Sequence, residues 1–362
     1  FTYGSVNAPT GKEWESPENL ALNKEQPHAY FFPFQHLDNA RKVLPENSKY
    51  WQSLDGDWKF HWAPDPDSRP KDFYQTEYDV SSWDAIPVPS SWNIYGIQKD
   101  GSQKYGTPIY VNQPVIFQHS VKVDDWRGGV MRTPPANWTT YKDRNEVGSF
   151  RRDFEIPQDW DGREVFISFD GVDSFFYLWI NGQYVGFSKN SRNTANFNIT
   201  PYLQKGKNTV AAEVYRSSDG SFLEAQDMFR LPGIFRTVAL YSVPKVHFRD
   251  LVATPDLDVT YTDGSLTVNA EIRNLDKKAI KDYKVYYSLY ANKLYSDENT
   301  LVDGFLSPVI DKIAPNETGS VQTVLKVKAP NKWSAEFPYR YTLVAELKDK
   351  KNRTVEMVST IV

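Results

Sequence analysis

The spacing of apolar and polar positions is that of a β protein along most of the chain. Between 165 and 169, Val165, Ile167 and Phe169 share one face of a predicted buried strand. Two further runs, 177–180 (YLWI) and 184–187 (YVGF), flank Asn181-Gly182. Asn-Gly between apolar runs predicts a two-residue hairpin turn, because both turn positions need positive φ. Residues 210–215 (VAAEVY) predict another strand, entered from the turn Lys205-Gly206-Lys207-Asn208. Strands of this length, separated by Gly, Pro and Asn turns, predict a sandwich or jelly roll.

A boundary is predicted near Pro244-Lys245, where the alternation becomes simpler. Leu266, Val268, Ala270 and Ile272 share a strand face, as do Val285, Tyr287 and Leu289. So do Val321, Thr323, Leu325 and Val327, and then Tyr341, Leu343, Ala345 and Leu347. Asp263-Gly264 and Pro315-Asn316 mark turns. Four or more strands in this stretch predict an immunoglobulin-like sandwich over 245–362. The first sandwich is then assigned to 48–244 and an extended arm to 1–47, where Phe31-Phe32-Pro33-Phe34 with Pro17, Pro27 and Pro45 argue against regular structure. A second irregular stretch runs from about Trp83 to Arg151, with Trp92, Trp126 and Trp138 among its prolines. Its length predicts function or packing against a neighbour. Trp179 and Trp333 are predicted core residues.

Composition narrows the function classes. The chain has 362 residues, is 40% hydrophobic and carries a net charge of −4. That charge gives no footprint for nucleic acid or anionic lipid. Mean hydropathy is −0.59, and no apolar run approaches membrane length, so a soluble protein without a membrane span is expected. Aromatics make up 15% of the residues, a content that suits sandwich cores and carbohydrate binding alike. Cysteine is absent, which excludes disulfides and thiolate chemistry and leaves cytoplasm and periplasm equally open. Asn137, Asn198, Asn316 and Asn352 head N-x-S/T triplets, meaningful only in a eukaryotic secretory setting.

The chemistry concentrates in one segment, SDGSFLEAQDMFRLPGIFR (218–236). It places Glu224, Asp227, Arg230 and Arg236 among Phe222, Met228, Phe229 and Phe235. Ser-Asp-Gly opens it as a turn and Pro232-Gly233 bends it back. Such a loop presents polar groups to a small ligand, or its acids simply pair with its own arginines. Asp219 and Glu224 are expected in structural roles, capping the turn or pairing with Arg230 or Arg236. The sequence contains no Walker loop, GxGxxG, HExxH or GxSxG. His28, His36, His61, His119 and His247 fit no metal-ligand spacing, and no pair of carboxylates stands out as acid and nucleophile.

This segment closely resembles its counterpart in β-galactosidases of glycoside hydrolase family two. SLDGDWKFHW (53–62), PVPSSWNIYG (87–96), TPIYVNQPV (107–115), FDGVDSFFYLWINGQYVGFSKNSR (169–192) and PNKWSAEFPYRYTLVAEL (330–347) resemble the same family in the same order, as does the text at 16–24. The resemblance implies an all-β chain, a jelly-roll galactose-binding-like sandwich followed by an immunoglobulin-like sandwich. The family's catalytic TIM barrel, with its acid/base and nucleophile glutamates, is expected outside these 362 residues, so no catalytic residue is assigned here. Asp227 aligns with the family's aspartate near the galactose 6-hydroxyl, which also ligates sodium. A carboxylate suits both tasks as a hard oxygen donor and an acceptor for a hydroxyl. Asp173 aligns with a sugar-binding asparagine, and as a carboxylate it accepts but does not donate.

The implied partners are a galactoside, the protein's own catalytic barrel and further copies of itself, since the irregular arm resembles one that aids subunit contacts in this family. Magnesium is expected only in the barrel. The implied function is a non-catalytic N-terminal region of a retaining β-galactosidase. The alternatives are a free-standing carbohydrate-binding module and the corresponding part of a β-glucuronidase or β-mannosidase.

Overall fold

The computed structural model describes residues 8–111, 145–224, 228–296 and 299–362, with backbone alone at 109–111 and at 222. Two β-sandwiches follow one another along the chain. In the first, a seven-stranded antiparallel sheet runs Ala21–Leu22, Gln183–Lys189, Phe175–Ile180, Lys207–Tyr215, Val147–Glu155, Gly56–Ala63, Asp84–Val88. A four-stranded sheet, Ala195–Asn198, Glu164–Phe169, Val238–Val243 and Trp51–Ser53, faces it. Leu178, Phe176 and Val214 from the larger sheet meet Ile167, Phe169 and Leu240 from the smaller in one continuous core.

The hairpin forms as its sequence requires. Asn181 and Gly182 have φ of 51° and 77°, and Ile180 pairs with Gln183. Asn181 is also tied into the body, since its side-chain oxygen accepts from Thr209 N at 2.8 Å.

The strand Phe175–Ile180 is buried along its whole length, on both faces. Its inner face enters the core between the sheets. Its outer face, Phe175, Tyr177 and Trp179, is covered by Trp14 from the arm and by Phe73 and Tyr74 from the connection after Gly56–Ala63. Trp179 stacks on Tyr74 with ring centres 4.9 Å apart and planes 8° from parallel. Likewise the outer face of Glu164–Phe169 carries Phe166 under Phe32 of the arm.

The second sandwich packs the three-stranded sheet Val246–Leu257, Gly264–Asn274, Glu317–Val327 on the four-stranded sheet Leu301–Leu306, Lys284–Lys293, Tyr339–Lys348, Thr354–Ile361. All four predicted alternating faces point inward, with Val268, Ala270, Tyr287, Leu343 and Leu347 at its centre. Trp333, expected in the core, is instead 65% exposed, because 330–338 forms an irregular crossing at the end of the sandwich. Trp179 is a core residue, as expected.

The arm joins the two bodies. Glu25 donates its backbone N–H to Asn196 O of the first sandwich at 2.8 Å, while its carboxylate pairs with Arg273 of the second at 2.8 Å. Phe32 enters the cluster of Phe166, Tyr241 and Val243. Phe34, with Ala40, packs on Tyr290, Val344 and Met357. The irregular stretch 83–151 contributes the strand Asp84–Val88 and a short helix, Trp92–Tyr95. Trp126 and Trp138 lie outside the described residues. Among the described residues no helix is long and apolar enough to cross a membrane.

Candidate functional site

The segment 218–236 lies at one end of the first sandwich, after the long strand Lys207–Tyr215. Ser218 and Ser221 cap the short helical turn Asp219–Phe222 reciprocally, each side chain bonding the other's backbone. This is the structural role expected of the turn, carried by the serines. Asp219 turns elsewhere: its carboxylate lies 2.7 Å from Lys189 Nζ, and both side chains are buried. Glu224 accepts from Ser191 N at 2.7 Å and from Ser191 Oγ at 2.5 Å. The direct partners of these two acids are therefore Lys189 and Ser191, not Arg230 or Arg236. Both partners come from the end of a strand about thirty residues earlier, a pairing that local spacing does not reveal.

Asp173 faces the same turn. Its backbone pairs with Gly233, so the Pro-Gly bend and the 170–174 turn are laced together. The bend needs glycine: a Cβ at Gly233, which has φ of 138°, would meet Ser90 O at 2.5 Å. The Asp173 carboxylate is 3.6 Å from Arg192 Nη2 and 3.5 Å from Ser191 Oγ, whose single proton goes to Glu224 at 2.5 Å. Burial pushes its pKa up to about 6, with Arg192 opposing and Glu224 reinforcing the shift. At neutral pH a carboxyl with that pKa is still mostly ionised and accepts rather than donates.

Arg192 completes the turn. Its guanidinium lies 4.9 Å from the Phe235 ring centre and 3.4 Å from Met228 Sδ. Arg236 lies over the same ring at 5.4 Å and donates to Arg192 O at 2.9 Å. Arg230 is buried, and the charges of Asp173 and Glu224 support its protonated form against desolvation.

Beneath this layer is a second set of buried polar groups that sequence reasoning missed. Arg216 pairs with Glu146, and both are buried. Glu146 also accepts from Trp92 Nε1 at 3.0 Å and Asn93 Nδ2 at 3.1 Å. Asn145 and Ser217 exchange two hydrogen bonds of 2.8 Å. The available signal was the Asn145-Glu146 pair directly before the strand Val147–Glu155, hidden inside a stretch that reads as irregular.

Asp227 lies outside the described residues. Glu224 and Met228, on either side of it in the chain, both contact the 191–192 turn that Asp173 also contacts. Among the described residues no group of three or more His, Cys, Asp or Glu could hold a metal ion.

Residues 51–244 match the sugar binding domain of glycosyl hydrolases family 2, and residues 246–362 match a second domain of the same family. The chain belongs to glycosyl hydrolase family 2. The β-galactosidase of Priestia megaterium is 38% identical over 348 residues, covering 96% of this chain and 31% of that protein. The β-galactosidase of Halalkalibacterium halodurans is 35% identical over 339 residues, covering 94% of this chain and 30% of that protein. The chain thus spans about 31% of the length of the first of these relatives. A Bacteroides uniformis β-glucuronidase structure superposes with a TM-score of 0.64 at 20% identity, covering 86% of this chain and 32% of that one. That likeness is one of fold. In this chain the turn at 189–192 meets the described residues of the 218–236 segment within the part matched as the sugar binding domain.

Proposed function

We propose that this chain is the sugar-binding and immunoglobulin-like region of a β-galactosidase, divided into an arm (1–47), a jelly-roll domain (48–244) and a second sandwich (245–362). The observation that carries the galactosidase reading is the identity of 38% to a protein named β-galactosidase across 96% of this chain. The β-glucuronidase neighbour stands at 20% identity and lends that alternative less support. In the full-length protein, a catalytic barrel would perform retaining hydrolysis of terminal β-galactosides, and this chain would supply groups that hold the sugar.

Asp227 is the principal such group. Its carboxylate would accept a hydrogen bond from a sugar hydroxyl and offer a hard oxygen to sodium, whose other ligands would be backbone oxygens, water or groups of the barrel. Asp173 acts from beneath. Its carboxyl faces Ser191 and Arg192 in a residue that is 6% exposed, so it would act on the sugar chiefly by orienting the 191–192 turn.

A panel of nitrophenyl glycosides on the full-length protein tests the reading, with the β-galactoside expected to be turned over fastest. Asp227→Ala is expected to lower kcat/KM on that substrate by roughly 10²-fold, the loss of one or two charge-assisted hydrogen bonds, with an unchanged circular dichroism spectrum. Wild-type kinetics in the variant would remove Asp227 from the site.

A further inference from the structure

One buried carboxylate joins several stretches of the first sandwich. Glu146 is 5% exposed and engages both of its oxygens. Oε1 accepts from Arg216, while Oε2 accepts from Trp92 Nε1 at 3.0 Å and Asn93 Nδ2 at 3.1 Å. Two of these donors also reach one short loop. Asn93 Nδ2 donates to Tyr105 O at 2.6 Å, and Arg216 Nη2 donates to Thr107 O at 2.8 Å. The carbonyls on either side of Gly106 are thus both held by groups that Glu146 orients. Gly106 itself passes against the carboxylate: its φ is 71°, and a Cβ there would lie 2.1 Å from Glu146 Oε1.

The loop leads into the site. Two residues after Thr107 the strand Ile109–Val111 begins, and it pairs with Met228–Arg230, Val111 opposite Met228 and Ile109 opposite Arg230. The chain just past Arg230 is tied to the same region, since Trp92 N donates to Pro232 O at 3.2 Å and Ser90 N to Ile234 O at 2.8 Å. Met228 follows Asp227 in the chain and touches Arg192, which lies beside Asp173. A buried pair with only a packing role looks different. Arg69 and Glu213 of the same sandwich are joined at 2.9 Å. They also bond Pro66 O and Tyr215 Oη, and neither lies in the ladder or the loop.

We propose that Glu146 is a positioning residue for the sugar, setting through Arg216 and Asn93 where the strands Ile109–Val111 and Met228–Arg230 stand. The proposal rests on the reading of the 218–236 segment as one that holds the sugar of a galactoside. Buried as it is, Glu146 acts through these groups and not on the sugar itself. The position calls for a carboxylate because it faces only donors. A glutamine there would turn its amide N–H groups towards Arg216, or towards Trp92 and Asn93. A fully satisfied network of this kind holds the backbone it bonds to within about 0.5 Å, the tolerance that hydrogen bonds to a sugar demand.

Kinetics of the full-length protein test this. Arg216→Lys keeps a cation beside Glu146, but one ammonium replaces the fork that reaches both Glu146 and Thr107 O. KM for nitrophenyl β-galactoside and Ki for methyl thio-β-galactoside are expected to rise roughly tenfold, with kcat within about threefold of wild type, the pattern of lost uniform binding. Arg69→Lys alters the comparison pair and is expected to lose similar stability in urea while keeping KM and Ki. Gly106→Ala presses on the carboxylate from the loop side and leaves every buried partner in place, so it decides the matter where Arg216→Lys does not fold. The same rise in KM and Ki is expected of it. Wild-type KM and Ki in the folded variants overturn the proposal, as does an equal rise in Arg69→Lys. A wild-type protein that prefers another glycoside removes the galactosidase reading alone, because the same comparison is then made on that substrate. One that hydrolyses no glycoside removes both.

Discussion

The two sandwiches bury their strands in different ways. In the first, Phe175–Ile180 and Glu164–Phe169 are buried on both faces, because irregular segments cover the outside of each sheet. In the second, Glu317–Val327 alternates buried and exposed positions from Val321 to Lys326, one face in the core and the other in solvent. The first is therefore a layered body in which loops act as a third and fourth layer. In the second only the four-stranded sheet is covered outside, where Phe34 and Ala40 of the arm lie on Tyr290, Val344 and Met357, and the three-stranded sheet turns one face to solvent. The difference explains why the polar site sits on the first, where buried charges such as Lys189–Asp219 and Arg216–Glu146 find partners in several layers.

The sharpest way to break this comparison is to strip an outer layer. Trp179→Ala, which removes the ring stacked on Tyr74, is expected to cost about 3–5 kcal/mol in urea unfolding, the loss of a fully buried aromatic. A loss below about 1 kcal/mol would show that the outer layer is cosmetic.

A second test concerns the junction. Glu356 is buried in the strand Thr354–Ile361 and accepts from Phe248 N at 2.6 Å, while its other oxygen has no partner among the described residues. Burial pushes its pKa up to about 8, against the pull of the Phe248 N–H and Arg163. The folded protein thus holds a proton that the unfolded chain releases above about 4.5. Stability from this group is greatest below that pH and falls by up to about 1.4 kcal/mol per pH unit towards pH 8. Glu356→Gln is expected to flatten that slope in unfolding measurements between pH 5 and 8, and an unchanged slope would assign it to other groups.

Smaller effects complete the series. Gly182→Ala forces a Cβ into φ of 77° and is expected to cost about 1 kcal/mol. Val324→Ala, on the outward face of the second sandwich, is expected to stay within about 0.5 kcal/mol of wild type. A Val324 effect as large as that of Trp179 would erase the contrast between the two bodies.

Legibility followed the same division. Four strands of the second sandwich were readable from alternation, which maps onto a sheet with one face in the core, while Val246–Leu257, Leu301–Leu306 and Thr354–Ile361 were not named. The first was readable as strands and as an Asn-Gly turn, yet its outer layers were not. Phe73, Tyr74 and Trp14 carry no period that says which sheet face they cover. Trp333 misled for a related reason: a Trp between apolar neighbours reads as core when its exposure depends on a crossing loop. At the site, Asp173 and the 218–236 segment were visible as motifs. The partners that set their chemistry, Lys189, Ser191, Arg192, Glu146 and Arg216, were not, because each arrives through sheet topology. Asp227, the residue given most weight from sequence, lies outside the described residues.

Phe32 and Phe34 stand two residues apart and are sunk into different bodies, one under Phe166 and Tyr241, the other under Val344 and Met357. In mechanical terms they are a pair of rivets through a single strap. A bend at the 243–246 joint would have to draw one ring out of its socket, so the joint resists bending even though only a few residues of chain cross it. Torque applied at the far end of the second sandwich is then delivered to the four-stranded sheet of the first, which carries Phe166 and Tyr241. Cutting the strap, rather than altering either body, is what would turn the rigid pair into a hinge.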